Sequence, residues 1–121
     1  MKKINFISPS LHGILDYMVD ITLISVPFIF NFRAISDTVF WAPIAIGLSN
    51  FLYSLFTVYS RSLVPLIPFY LHLFFDFMAG LILLALAFSL PLEGFVKLFY
   101  IVMGTGIILA TLFTNPNELN Q

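Results

Sequence analysis

Four apolar runs, residues 9–30, 39–58, 67–90 and 95–113, are separated by short polar stretches. A helix rising ~1.5 Å per residue needs about 20 residues to cross ~30 Å of hydrocarbon, so each run predicts one membrane-spanning helix. Ser8 followed by Pro9 has the form of an N-cap with proline at the first helical position, where the missing N–H costs nothing. Asn31 to Asp37 and Ser60 to Ser62 read as connections. Pro65 and Pro68 mark the start of the third helix, and Thr114-Asn-Pro-Asn117 the end of the fourth. Pro27 should bend or end the first helix, because it removes a backbone donor and crowds the preceding turn. Trp41 and Tyr59 fall near the two ends of the second helix, where amphipathic rings favour the lipid–water boundary.

Polar residues inside these runs are few, and they recur. His12 and His72 each precede an aspartate by four residues, Asp16 and Asp76. Aligning residues 7–18 with 67–78 matches Ile, Leu, His, Asp and Met, and Ser54-Leu-Phe-Thr57 echoes Thr111-Leu-Phe-Thr114. The chain therefore reads as one membrane domain, 1–121, built from a helix pair used twice: repeat one at 7–59 and repeat two at 67–114. Two helices return the chain to its starting side, so the two copies should run parallel and place both His/Asp pairs in the same leaflet. The expected fold is an all-α bundle of four transmembrane helices.

Composition supports that class. With 60% hydrophobic and only 9% charged residues, the chain lacks the roughly 25% charge that covers a soluble domain. The lipid bilayer is its first partner. A net charge of -1 leaves no basic surface to follow a phosphate backbone, so nucleic acid is not expected to bind. The absence of cysteine excludes thiolate metal sites and thiol catalysis. Lys2-Lys3 precede an apolar run that His12, Asp16 and Asp20 interrupt and that has no small-residue cleavage site, so it is expected to stay as the first helix. Lys2, Lys3 and Arg61 on one side, against Arg33 and Lys97 on the other, favour both termini in the cytoplasm.

Spacing of four puts His12 and Asp16 on one helix face, and His72 and Asp76 on another. An aspartate near the middle of a membrane helix costs ~2.5–3.5 kcal/mol on insertion scales, so these faces should turn inward and converge. Asp20 continues the stripe His12, Asp16, Asp20, but aligns with Gly80; Asn50, also unmatched, aligns with Ile107. Asn50 is expected to donate a hydrogen bond to Asp20. Stripes of small residues, Ala42, Ala45 and Ser49 on the second helix and Gly106, Ala110 and Thr114 on the fourth, are the expected lines of helix contact.

Three readings of the cluster stay open. One is a polar clasp that fixes helix pairing, in a structural or partner-interacting protein that forms homo-oligomers or binds another membrane protein. Another is a proton, ion or small-solute pathway. A metal or haem site ligated by His12 and His72 is the third. No cofactor is expected on the first two readings. No phosphate loop, nucleophile elbow or nucleophile–base pair is visible, so no enzymatic activity is expected.

His12-Gly-Ile-Leu-Asp-Tyr17, Val26-Pro-Phe28, the stretch from Leu48 closing in Ser-Leu-Phe-Thr57, and Leu71-His-Leu-Phe-Phe-Asp76 resemble the SPW-repeat integral membrane proteins of bacteria. The resemblance spans about residues 7–114. It implies tandem pairs of transmembrane helices in a bacterial inner membrane and supplies no catalytic residue. The Ser-Pro-Trp signature itself survives only as Val26-Pro27-Phe28 and Leu86-Ala87-Phe88.

Overall fold

A computed structural model of the 121-residue chain describes residues 7–57 and 66–115. The expectations that rest on Lys2, Lys3, Val58, Tyr59, Pro65 and Pro116, and on the Ser60-Arg-Ser62 connection, lie outside the described residues. Four helices follow one another: α1 (Pro9–Ile29), α2 (Asp37–Leu55), α3 (Phe69–Ser89) and α4 (Gly94–Leu112), with a single 3-10 turn at Phe32–Ala34 after α1. All four are long and apolar enough to cross a membrane, and the protein is an all-α integral membrane protein.

Helix ends follow local chemistry. Ser8 caps α1, its hydroxyl accepting from the Leu11 N–H at 3.2 Å, with Pro9 at the first position. Ser36 does the same for α2, accepting from Val39 N–H at 3.1 Å. That cap, with Asp37 favourably placed in the first turn, starts α2 two residues before the predicted Val39. Pro27 lies near the end of α1, whose Phe30 N–H still reaches Val26 O at 2.9 Å.

At the other end of the bundle α2 stops short of residue 58 and α3 begins after residue 67, because the chain pairs with a neighbour instead of continuing its own helix. Thr57 and Ile67 form a parallel bridge, with Ile67 N–H donating to Phe56 O at 2.6 Å. Ile7 and Thr114 form another: Ile7 N–H donates to Phe113 O, and Asn115 N–H to Ile7 O, both at 3.1 Å. The exit of each hairpin is thus tied to the entrance of the other.

α1 packs along α2 and α3 along α4; the two hairpins then meet where α2 touches α3 and α4 touches α1. α1 and α3 stand diagonally across the bundle, as do α2 and α4. Lipid supplies no hydrophobic drive between helices, so close backbone approach matters. Gly80 and Gly104 provide it in the second hairpin: a Cβ on Gly80 would meet Gly104 O at 2.8 Å, and one on Gly104 would meet Gly80 O at 2.9 Å. Gly47 does so in the first, lying against Leu23 and Asp20 O. The expected stripes are corrected accordingly. Gly106 faces open space, and Ala45 and Ser49 are exposed along a groove of about 370 Å³ between α2 and α3. The buried line of α2 is instead Pro43, Ile44, Gly47, Asn50 and Ser54.

Pro43 lies inside α2 and has no N–H to give to the carbonyl of Val39, four residues back. Tyr100, fully buried on the diagonal helix α4, donates its hydroxyl to that carbonyl at 2.8 Å. Around this end Phe32 is buried against Phe95 and Phe99, while Arg33 sits over Phe40 and Trp41 and Lys97 over Phe88. Both cations gather at the end opposite the histidines, their stems lying along aromatic faces.

Candidate functional site

His12 and Asp16 start α1, and His72 and Asp76 start α3, on the two helices that face each other diagonally. All four are buried. Their inward atoms, the Nε2 of each histidine and the Oδ2 of each aspartate, form a closed ring. His12 Nε2 lies 2.7 Å from Asp76 Oδ2 and 3.2 Å from Asp16 Oδ2; His72 Nε2 lies 2.6 Å from Asp16 Oδ2 and 3.2 Å from Asp76 Oδ2. The short contacts therefore cross from one hairpin to the other, and the i,i+4 contacts within each helix are the long ones. Nitrogen and oxygen alternate around the ring.

The outer nitrogens are held alike. His12 Nδ1 lies 2.8 Å from Thr114 Oγ1, and His72 Nδ1 lies 2.8 Å from Thr57 Oγ1. Each threonine hydroxyl already gives its single proton to the carbonyl one turn back, Thr114 to Ala110 O and Thr57 to Tyr53 O, both at 2.6 Å. Toward the imidazole it can only accept, so each Nδ1 carries the N–H. Two lone pairs do not approach to 2.6–2.7 Å, so one proton lies between each Nε2 and its crossed Asp oxygen. Each His–Asp pair is then neutral as a unit, which is the charge state that a dry interior tolerates.

Tyr53 completes the shell, its hydroxyl donating to Asp76 Oδ1 at 2.7 Å. Phe69 lies one turn before His72, stacked on that ring with centroids 5.9 Å apart and edge-on to His12 at 5.7 Å, and closes the outer end. Asp16 is the least enclosed member, its side chain 9% exposed.

Of the other predicted residues, Asp20 lies one turn deeper on α1, wholly buried. Asp16, Asp76 and His72 are within electrostatic reach of it, and Asn50 stands beside it. Asn50 is thus placed against Asp20 as expected, but the contact falls short of hydrogen-bond geometry: neither Asp20 oxygen has a bonded partner among the described residues. The Asn50 oxygen is engaged along its own helix, accepting from Ser54 Oγ at 3.3 Å.

Thr57, Thr114 and Tyr53 were missed as site residues. The two threonines had a signal, since they occupy matched places in the echo of Ser54–Thr57 and Thr111–Thr114. Tyr53 had none, because its counterpart is Ala110. Chemically the arrangement can join helices, hold protons, or present four donors to a metal ion, the ligand atoms lying within 4.8 Å of one another. No protein-family model, curated protein or solved structure matches the chain.

Proposed function

We propose that the chain is a non-enzymatic structural or partner-interacting membrane protein in which the quartet locks two helix hairpins into one bundle. The observation that carries this reading is the crossed pairing, His12 to Asp76 and His72 to Asp16. Each histidine also reaches, through its threonine, the segment that leaves a third helix, Thr114 after α4 and Thr57 after α2. Within each hairpin the helices hold one another through close packing; between hairpins the quartet supplies direction and register. Buried polar groups that are fully satisfied specify one arrangement where apolar contacts alone would allow several.

Double-mutant cycles test it in detergent-solubilised protein. Alanine substitutions at 12 and 76 should show a coupling of about 0.5–3 kcal/mol, larger than that between 12 and 16. Equal couplings would remove the crossed lock. A second reading, proton or ion transfer, has the orphaned Asp20 carboxyl in its favour. Asp16→Asn with Asp76→Asn separates the two: the lock loses stability with no change in liposome flux, whereas a pathway loses flux.

The matched threonines and bridges support a duplicated helix pair. Membership of the SPW-repeat proteins, residence in a bacterial inner membrane with cytoplasmic termini, and association with a second copy or another membrane protein belong to the same proposal. They rest on the residue pattern, and for association on the exposed apolar helix faces.

A further inference from the structure

Asp20 is not explained by a lock. The four quartet residues satisfy one another, yet one turn deeper a fully buried carboxyl makes no hydrogen bond among the described residues. Leaving such a group without a partner costs ~1–3 kcal/mol or more, and repeat two manages with Gly80 at the equivalent place. A buried carboxyl group without a hydrogen-bond partner, beside a ring of inward-pointing imidazole and carboxylate atoms, is what a cation site looks like from the protein side.

Three further features agree. First, both histidines are held in the form that leaves Nε2 as the inner atom, because each Nδ1 is committed to a threonine. This is the outer support by which ligating histidines are oriented. Second, the spacing suits an ion. Four donors at ~2.0–2.1 Å in a square arrangement stand ~2.9 Å apart, and tetrahedral ones ~3.4 Å. The ring distances of 2.6, 2.7, 3.2 and 3.2 Å bracket the square value, with nitrogen and oxygen alternating. Third, charge closes when Asp20 keeps its proton: a divalent ion with the carboxylates of Asp16 and Asp76 sums to zero, so it replaces the two shared protons without leaving net charge in the bundle. Asp16, slightly exposed, marks the entry side.

We propose that His12, Asp16, His72 and Asp76 form an intramembrane site for one divalent first-row transition-metal ion, with Asp20 as a direct or water-bridged ligand on its inner side. This does not depend on the lock, which concerns the metal-free bundle. Protein in detergent, stripped with EDTA, is dialysed separately against Mn2+, Zn2+ and Cu2+, and bound metal is counted by mass spectrometry after desalting. One ion per chain is expected for at least one of these, and the Cu2+ form should show electron-spin coupling to two imidazole nitrogens.

Because quartet variants risk losing the fold, Asp20→Ala is the decisive variant: it should fold and bind at least tenfold more weakly. Retention below a tenth of an ion per chain for all three metals overturns the site, as does a Cu2+ signal without two imidazole nitrogens. Undiminished binding by Asp20→Ala overturns the role of Asp20. Crossed coupling without metal retention would leave the lock standing and this site rejected.

Discussion

Tyr100→Phe isolates one hydrogen bond. It keeps the ring that packs edge-on to Phe99 and deletes only the hydroxyl that reaches Val39 O at 2.8 Å. In an ordinary helix that carbonyl would fall back on the N–H four residues later. Here that residue is Pro43, so the carbonyl is stranded in a low-dielectric interior. Stranding a buried backbone acceptor costs ~1–3 kcal/mol, whereas side-chain bonds between membrane helices average only ~0.6 and reach ~1.7 kcal/mol. With no fallback the upper range applies, and a loss of about 1.5 kcal/mol, roughly tenfold in the folding equilibrium, is expected. Pro43→Ala restores the N–H, after which Tyr100→Phe should cost less than about 0.5 kcal/mol. Unfolding by SDS in mixed micelles, followed through the fluorescence of Trp41, the sole tryptophan, reads all four proteins. Equal costs of Tyr100→Phe in both backgrounds would refute the reasoning.

Thr57→Val and Thr114→Val keep side-chain shape but take the acceptor from His72 and His12. Each should destabilise by ~1–2 kcal/mol in the same assay, and a neutral result for either denies that its hydroxyl holds the ring. Gly104→Ala should cost ~1–3 kcal/mol, because the new methyl meets Gly80 O at 2.9 Å, while Gly106→Ala, facing open space, should be neutral or slightly stabilising. If the two behave alike in thermal melts, the assigned contact face of α4 is wrong. Asp20→Ala should raise metal-free stability by about 1–3 kcal/mol as an unpartnered carboxyl is removed, a gain characteristic of residues kept for function. A loss would mean the carboxyl has a stabilising partner.

How much of this was legible follows from the range of each effect. The spans of α1 and α4 came within a residue or so of those predicted, because bilayer thickness and the Ser8–Pro9 cap act locally. Lipid's intolerance of charge is as general, and it pointed His12, Asp16, His72 and Asp76 inward together. Pairing was another matter. Spacing of four argues for His12 with Asp16, and only the diagonal placement of α1 and α3 makes Asp76 the shorter contact. Thr114 lies 102 residues from His12, beyond any local rule. Gly104 and Gly106 are alike in sequence but sit on different sides of α4, and which one meets α3 depends on a neighbour that no single helix encodes. Asn50, unmatched and central like Asp20, does stand beside it, but the orientation of its amide, whose oxygen accepts from Ser54 on the same helix, is a matter of packing that no sequence pattern encodes.

The paired bridges, Ile7 with Thr114 and Thr57 with Ile67, make the chain a closed circuit in space, open in sequence at one of two equivalent seams. A permuted chain, joined by a linker from Asn115 to Ile7 and opened between Thr57 and Leu66, would keep every bond of the quartet. So would two separate hairpins meeting as these two do. Two hairpins tied end to end in this way can share one symmetric quartet and still differ one turn deeper, where Asp20 stands on α1 and Gly80 on α3.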